Sequence, residues 1–301
     1  MHLVNALSVD VEDYFQTEAM SAVAPRERWP SFDSHVEANT NALFELFAEY
    51  NVKATFFFLG WIAERYPTLV RKARALGHEV GCHSYWHRPV FRLTQNEFRD
   101  DTYRAKCVIE DEAGGPVVGY RAPCFSITPA VPWAHAILEE LGFLYDSSVN
   151  PVHHGFYGNH TAPRHPYLVG EVLLELPIAT WRVLGQNLPV GGGAYLRILP
   201  LALMRTGVAA INRNERRPAV LYLHPWEIDV RQPRLSASWK SRRRQYTGLS
   251  QMLTKLELML QLFRMGTVYD SAYLPALQEL GRADKTAVAL EAPSAAAPMR
   301  S

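Results

Sequence analysis

The segment that most constrains the fold is residues 53–59, which read KATFFFL. A strand with this sequence is too apolar to leave either of its faces in water. Such strands are typical of a parallel sheet with helices packed on both sides. Further strands are predicted at residues 3–9, 78–82, 117–120, 172–176 and 219–223.

Helical patterns lie between these strands. Apolar residues at helical spacing predict a helix over about residues 33–50, which Asp33 or Ser34 can cap. A helical stretch over residues 62–76 is predicted to break at Pro67. Thr94 and Glu97 form a capping box that opens another helix. Because strands and helices alternate along the chain, we predict an α/β fold with a mainly parallel sheet.

The composition excludes some classes of function. With 31 basic and 30 acidic residues, the formal net charge is +1, which gives no general field for nucleic acid or an anionic membrane. Cys82, Cys107 and Cys124 cannot all pair within one chain and form no Cys-x-x-Cys motif, so we expect a reducing compartment. Residues 1–9 are too short and uncharged for a signal peptide, and no apolar run approaches the ~20 residues of a membrane span. We therefore expect a cytoplasmic protein.

Two histidines four residues apart form the sharpest motif. Residues 77–87 read GHEVGCHSYWH, a strand end that leads into His83 and His87. If residues 84–87 form one helical turn, both imidazoles project from the same side, about 5–6 Å apart, and can reach one metal ion. A catalytic zinc usually has three protein ligands, so a carboxylate from elsewhere is required. The alternative is a pair of ordinary histidines at a strand–loop junction.

Three carboxylates follow the first predicted strand. Asp10, Glu12 and Asp13 lie so close in sequence that they would repel one another unless a cation, protons or water compensates. In βα folds, ligands and catalytic groups gather at the carboxyl ends of strands. A solvated acidic turn is the alternative, but the position directly after an apolar strand favours a site. Arg121 and His224 end two further predicted strands.

This set of motifs, in this order, resembles the polysaccharide deacetylases, which share their catalytic domain with the nodulation chitooligosaccharide deacetylases. The resemblance covers about residues 1–229 and implies a distorted (β/α) barrel, often of seven strands. The matching segments are residues 8–13 (SVDVED), 83–87 (HSYWH), 121–123 (RAP), 145–148 (YDSS) and 221–224 (LYLH).

The resemblance implies a divalent metal ion bound by His83, His87 and either Glu12 or Asp13. Zn²⁺ is the expected ion. The family commonly has two adjacent aspartates in its first motif, whereas the acidic residues of this chain are distributed over positions 10, 12 and 13. Asp10 matches the catalytic base. We favour Glu12 slightly as the metal ligand, because alternate residues of a strand share a face and adjacent ones do not.

Further roles follow from the same resemblance. Arg121 is expected to hold Asp10 ionised and oriented, and His224 to protonate the departing sugar amine. Asp146 is expected to orient His224. The backbone N–H of Cys124, at a position where the family commonly has tyrosine, would help to bind the oxyanion.

The implied function is a metal-dependent hydrolase that removes N-acetyl groups from an amino-sugar polysaccharide or oligosaccharide. Trp86 and Trp226 flank the motifs and are candidate substrate contacts, because aromatic faces suit the apolar faces of sugars. Residues 9–16, 191–193 and 244–246 look most similar to deacetylases encoded with exosortase-linked exopolysaccharide systems. That similarity implies a role in exopolysaccharide biosynthesis and leaves contact with membrane-associated assembly machinery open. The alternatives are an allantoinase-like cyclic amide hydrolase and a catalytically silent glycan-binding or assembly module.

The resemblance also sets the expected domain organisation. One deacetylase-like domain spans residues 1–283, with the catalytic barrel over about 1–229 and a C-terminal extension interwoven with it over about 170–283. Residues 284–301 are rich in alanine and proline without periodicity, and we expect them to be disordered. The expected partner is an N-acetylated glycan, with no nucleic acid.

Overall fold

A computed structural model describes residues 3–155 and 157–282 of the chain. The strands are β1 (Asn5–Val11), β2 (Thr55–Phe58), β3 (Glu79–Cys82), β4 (Gly119–Tyr120), β5 (Tyr145–Asp146), β6 (Tyr167–Leu168), β7 (Leu174–Glu175), β8 (Thr180–Val183), β9 (Gln186–Pro189), β10 (Val220–Leu223) and β11 (Met265–Gly266). The helices are α1 (Val36–Glu49), α2 (Gly60–Arg65), α3 (Pro67–Ala75), α4 (Gln95–Ala113), α5 (Ala134–Glu140), α6 (Gly193–Ile198), α7 (Leu201–Ala210), α8 (Trp239–Tyr246), α9 (Leu249–Leu262) and α10 (Leu274–Glu279).

A curled parallel sheet forms the centre of the fold. Its parallel strands follow the order β10-β1-β2-β3-β4-β5-β7, with β6 antiparallel at the edge beside β7. The sheet curls far enough that the amide of Ala179, just after β7, donates a hydrogen bond to the carbonyl of Val220 in β10 (3.0 Å). The predicted α/β class with a mainly parallel sheet agrees with this architecture, although β11, which also pairs in parallel with β1, brings the parallel strands of the described residues to eight rather than the expected seven.

The two faces of the sheet are buried in different ways. Leu7 and Val9 of β1 belong to a large apolar cluster that includes residues of α1, α3 and α4. Ala6 and Phe57 belong to a second cluster with residues of β5, β7 and β10. Because successive strand residues point to opposite faces, Asp10 shares the inner face with Ala6.

The structure shows both of the predicted helix boundaries that depend only on residues close in sequence. The predicted proline break separates α2 from α3 at Pro67. The capping box opens α4 as predicted: the amide of Glu97 donates to Thr94 Oγ1 (3.3 Å), and the amide of Thr94 donates to Glu97 Oε2 (2.8 Å).

The C-terminal part of the chain supplies neighbours for the first strand. β1 lies between β10 and β2, and β11 pairs with its beginning through Asn5 and Met265. β8 and β9 form a separate hairpin. The tail expected at residues 284–301 lies outside the described residues. Among those described, no helix has both the length and the apolar character needed to cross a membrane.

Candidate active site

The candidate site lies where neighbouring strands end. Val9 aligns with Leu223 across β1 and β10, and Cys82 aligns with Tyr120 across β3 and β4. Parallel strands that end in register deliver their next residues to the same edge of the sheet. The residues that follow these pairs are Asp10, His224, His83 and Arg121.

Arg121 is fully buried inside the curled sheet. Its Nη1 donates to Asp10 Oδ1 (2.8 Å) and to Ser8 Oγ (2.6 Å). Its Nε and Nη2 donate to the carbonyl oxygen and the Oγ of Ser147 (3.0 and 2.9 Å), and the guanidinium lies 4.4 Å from the ring centre of Phe57. These contacts fix the guanidinium, so its charge-assisted bond orients the Asp10 carboxylate.

Glu12, His83 and His87 form a buried cluster whose ligand atoms all lie within 4.8 Å of one another. The two imidazole centres are 5.2 Å apart, the separation expected from the sequence. Glu12 Oε2 lies 2.8 Å from His87 Nε2 but makes no hydrogen bond of good geometry with any residue that the structure describes. A buried carboxylate oxygen in this position is suited to bind a cation.

A bend, rather than the predicted helical turn, brings the two histidines together. Ser84 and His87 both have left-handed backbones, with φ of 64° and 50°. Such conformations cost about 1–3 kcal/mol each for residues other than glycine, so surrounding contacts must hold them. Asp101 of α4 accepts the amide of Tyr85 (2.7 Å), and Gly60, the first residue of α2, donates to the carbonyl of Ser84 (2.8 Å).

One backbone carbonyl sets the tautomer of His83. Nδ1 of His83 lies 2.7 Å from the carbonyl oxygen of Arg121. Because a carbonyl only accepts, Nδ1 carries the hydrogen and Nε2 keeps a lone pair for a metal. Burial lowers the pKa of His83 to about 4, so this imidazole is neutral near neutral pH.

Of the two acids considered as the third ligand, only Glu12 lies with the histidines. Asp13 Oδ2 accepts hydrogen bonds from Ser34 Oγ (2.7 Å) and from the amides of His35 and Val36 (3.0 and 3.1 Å). Asp13 is therefore corrected from a candidate metal ligand to the cap of α1. The same contacts correct the expected capping by Asp33 or Ser34, because the capping carboxylate comes from the loop after β1.

His224 lies on the other side of Glu12. Its Nε2 is 3.5 Å from Glu12 Oε1 and 4.0 Å from Asp10 Oδ2. Its Nδ1 is 3.2 Å from Glu227 Oε2, which also accepts the His224 amide (3.0 Å). The second oxygen of Glu227 accepts from Nε of the buried Arg197 (2.8 Å). Glu227, held by Arg197, is therefore the residue that orients His224.

The prediction that Asp146 orients His224 is wrong. Asp146 is fully buried beside His135 of α5 and Glu175 of β7. Its neighbour Ser147 faces Arg121, and successive strand residues point to opposite faces. Asp146 consequently points away from the candidate active site.

Sequence reasoning missed Glu227 and Arg197. The available signal was the spacing His-x-x-Glu, because Glu227 follows His224 by three residues within a short 3₁₀ turn. A second signal was the glycine run at residues 191–193, treated above only as a point of similarity. A Cβ on Gly193 would lie 1.8 Å from Glu227 Oε2, so only glycine lets α6 begin this close to the carboxylate.

Trp226 is corrected from a substrate contact to a part of the site framework. Its ring is only 6% exposed and stacks on the imidazole of His224, with ring centres 5.3 Å apart. The Arg197 guanidinium lies 5.1 Å from its ring centre, and Nε1 donates to Glu12 Oε1 (3.0 Å). Because the ring is enclosed in this way, it is unsuited to stack on a sugar.

The other two predicted substrate contacts lie at more open positions. Trp86 is partly exposed and, with Trp29 and His87, lines a cleft of ≈ 400 Å³. Cys124 lies in a tight turn after Arg121 and has a left-handed backbone, with φ of 57°. Burial raises the pKa of its thiol, so we do not assign it a nucleophilic role. The roles of Trp86 and of the Cys124 amide stay predictions.

Charges within the site are strongly coupled. Burial alone would raise the pKa of Glu12, but the neighbouring imidazoles, His87 first, outweigh it and lower the pKa to about 2. Burial would lower the pKa of His224, but Glu12 and Glu227 outweigh it and raise the pKa to about 9. The site thus pairs an ionised carboxylate with an imidazolium, which is a ready proton donor.

The residues present fit a divalent metal ion. Glu12 offers an oxygen that makes no hydrogen bond of good geometry within the described part of the chain, and His83 offers Nε2 in the tautomer that binds metals. One carboxylate and two imidazoles are the protein ligands of a well-known class of catalytic zinc site, which leaves a position for water or substrate.

Comparison with known protein families divides the chain in two. Residues 23–145 match the family model described as polysaccharide deacetylase. Residues 147–272 match a domain of unknown function, DUF3473. The first match begins after the acidic cluster of β1, and the second begins before the C-terminal extension that we expected from about residue 170.

Three curated relatives are similar to parts of the chain. A bifunctional xylanase/deacetylase of Pseudobutyrivibrio xylanivorans is 29% identical over 98 residues, and a peptidoglycan-N-acetylglucosamine deacetylase of Bacillus cereus is 32% identical over 75 residues. A peptidoglycan deacetylase of Helicobacter pylori is 29% identical over 113 residues. These matches cover 32%, 25% and 38% of this chain, which spans only 16%, 27% and 38% of the relatives.

A solved structure extends the likeness of fold to nearly the whole chain. A candidate polysaccharide deacetylase from Mycobacterium smegmatis superposes with a TM-score of 0.57 at 22% identity, covering 98% of this chain and 96% of that one. This likeness confirms the predicted α/β fold, with the parallel sheet curled into a half-barrel. The chain therefore has one segment that is similar to the polysaccharide deacetylase family and a following segment that is similar to DUF3473.

Proposed function

We propose that this chain is a metal-dependent N-deacetylase of an amino-sugar polysaccharide. One observation carries the proposal: the Glu12–His83–His87 cluster lies between a carboxylate fixed by Arg121 and an imidazole fixed by Glu227. Hydrolysis of an N-acetyl group needs an activated water, a stabilised oxyanion and an acid for the nitrogen. The cluster and its two flanking residues supply a candidate for each need.

Glu12, His83 and His87 would hold the divalent ion, with Zn²⁺ as the proposed metal. When bound, such an ion lowers the pKa of water towards ~7 and polarises the acetyl carbonyl. Asp10, oriented by Arg121, takes the proton from the attacking water. The amide of Cys124 is proposed to donate a hydrogen bond to the oxyanion.

His224 completes the reaction by protonating the departing amine from Nε2. Its Nδ1–H is held by Glu227, so Nε2 stays directed towards Asp10 and Glu12. The carboxylate of Glu227, 3.2 Å from Nδ1, stabilises the protonated imidazole. Removing the leaving amine as a neutral molecule avoids an unstable amide anion.

The proposed substrate is a polymer with N-acetylated amino sugars. Some similar proteins are named as peptidoglycan deacetylases, and the cleft beside His87 is lined by Trp86 and Trp29, as a sugar site would be. We propose that the activity serves exopolysaccharide biosynthesis. In that role the protein would contact assembly machinery at a membrane.

The test uses the full chain and N-acetylated chitooligosaccharides. Acetate and free amine are measured with Zn²⁺, after removal of metal by EDTA, and after Zn²⁺ is restored. We expect equimolar acetate and amine, loss with EDTA and recovery with Zn²⁺. Release that survives complete metal removal would reject the metal-dependent mechanism.

Two controls separate the alternatives. His87→Asn should abolish release, whereas His153→Asn, at an exposed histidine of the loop before β6, should leave it unchanged. Turnover of allantoin but not of the glycan would favour the cyclic amide hydrolase. Glycan binding without release of acetate, by protein that has Zn²⁺ bound, would favour the silent module.

A further inference from the structure

A second cluster of histidine and carboxylate lies away from the candidate active site. Asp146 of β5 and Glu175 of β7 are directly paired neighbours in the parallel register, and both are fully buried. His135, the second residue of α5, covers them, with Nε2 3.3 Å from Asp146 Oδ2 and 3.8 Å from Glu175 Oε2. The ligand atoms of all three residues lie within 4.8 Å of one another.

Each carboxylate has one oxygen satisfied and one oxygen free. Asp146 Oδ1 accepts from the Ser148 hydroxyl, and Glu175 Oε1 accepts from the amide of Val149 (2.9 Å). Asp146 Oδ2, Glu175 Oε2 and His135 Nε2 are buried, and none of them makes a hydrogen bond within the described part of the chain. Three unsatisfied polar atoms thus converge on one point.

The negative charge of two carboxylates exceeds what their single basic partner can balance. Among the described residues, the ion pairs of Asp146 and Glu175 are with His135 alone. Two buried carboxylates side by side repel each other strongly. Either protons or a cation must occupy the space between them.

We propose that His135, Asp146 and Glu175 form a second divalent-metal site, with Zn²⁺ as the ion. A neutral imidazole, two carboxylates and a dication sum to zero charge, as burial requires. In a tetrahedral site with bonds of ~2.0–2.1 Å, neighbouring ligand atoms lie about 3.3 Å apart. The distance from His135 Nε2 to Asp146 Oδ2 equals that value (3.3 Å), and the distance to Glu175 Oε2 is longer (3.8 Å). Nitrogen and carboxylate ligands together suit zinc better than calcium, which prefers six or more oxygens.

The site would join α5 to two strands that are only two residues long. The residue after Asp146, Ser147, holds Arg121 through its carbonyl oxygen and hydroxyl. An ion at this point would therefore stabilise the strand that positions Arg121, without taking part in the reaction.

The test counts bound zinc in the full chain by mass spectrometry after dialysis. Wild type should hold two equivalents, and the His83→Ala/His87→Ala variant should hold one. Adding Glu175→Gln to that variant should remove the remaining equivalent. As a control, Glu79→Gln changes a partly buried carboxylate that accepts hydrogen bonds from Tyr145 Oη and the amide of Tyr269, and it should leave the count unchanged.

A double variant that is folded by circular dichroism but binds no zinc would overturn the proposal. So would a remaining equivalent that survives Glu175→Gln, because that ion is bound elsewhere. If Glu175→Gln fails to fold, wild-type crystals grown with Zn²⁺ give the answer. Anomalous scattering should show a peak among His135, Asp146 and Glu175, and its absence rejects the site. Neither readout depends on deacetylase activity, so the proposed function is tested separately.

Discussion

The two histidine–carboxylate clusters of this chain lie on opposite faces of one sheet and differ in what surrounds them. Beside Glu12, His83 and His87 stand Asp10, fixed by Arg121, and His224, fixed by Glu227. Beside His135, Asp146 and Glu175 stand a serine hydroxyl and a backbone amide, which only satisfy the carboxylates.

The difference separates metal binding from reactivity. In each cluster, the three ligand atoms lie within 4.8 Å of one another. Only the first cluster has a further carboxylate and a further imidazole beside its ligands. Arg121 holds that carboxylate, Asp10, and Glu227 holds that imidazole, His224. We infer that the flanking pair, rather than the ligand set, makes the first cluster a candidate for chemistry and leaves the second a candidate for stability.

The largest expected effect contrasts one ligand from each cluster. His87→Ala should abolish acetate release from chitooligosaccharides, because the metal loses a ligand. Glu175→Gln should lower the rate by no more than about tenfold, the lower end of effects from residues outside the ligand shell. Steady-state rates at saturating Zn²⁺ measure both. A folded Glu175→Gln protein without activity would show that the clusters are not separable.

A smaller effect is expected at the flanking imidazole. His224→Ala should lower kcat by about 10²–10⁴-fold, the usual contribution of a general acid. Zinc content should not change, because His224 is not among the ligands. Glu227→Gln weakens the hydrogen bond to His224 Nδ1 and should lower kcat by a smaller factor. Loss of zinc in His224→Ala would instead make this histidine a fourth ligand.

A buried histidine without carboxylate partners provides the third contrast. Burial first, and Lys53 second, lower the pKa of His78 to about 4, so its neutral form is favoured in the folded state. The unfolded state then binds more protons below about pH 6.5, and stability falls as the pH drops towards 4.

His78→Gln should remove this pH dependence and can still accept the amide of Ala54. Urea unfolding at pH 7 and pH 4 should show that the wild type loses up to about 3 kcal/mol more than the variant, at ~1.4 kcal/mol per pKa unit. Equal losses in the two proteins would show that His78 is protonated freely in the folded state.

The smallest effect tests the neighbouring acids of β1. Asp13→Ala should lower the free energy of unfolding by about 0.5–2 kcal/mol, as loss of a helix cap does. Its zinc content should equal that of wild type, whereas Glu12→Gln should lose the active-site ion. Urea unfolding and metal analysis check both. An Asp13→Ala protein that folds without the active-site ion would reverse the assignment of the two acids.

Sequence reasoning reached the features that short-range patterns determine. The apolar strands, the proline break before α3 and the capping box of α4 depend on neighbouring residues, and the strand ends gave Asp10, His83, Arg121 and His224. The preference for Glu12 over Asp13 came from strand alternation and agrees with the geometry.

Contacts between distant segments could not be predicted in the same way. Asp146 was assigned by its place in a motif, but whether a residue of a two-residue strand faces inwards depends on the register of the whole sheet. Trp226 follows a site histidine, yet Arg197, 29 positions earlier, helps to enclose it. Arg197 itself lies in a helix without any local sign that it reaches a catalytic residue.

The position of β1 has a consequence for biosynthesis. The Ser8 hydroxyl donates to the carbonyl of Leu221, 213 residues later. During synthesis, one edge of β1 therefore stays uncovered until β10 has been made. Contacts this distant in sequence slow folding, and an uncovered strand edge invites aggregation. A fragment that ends with the deacetylase match at residue 145 would lack β10 entirely. The segments that match the two family models are therefore successive in the sequence but contribute strands to the same sheet.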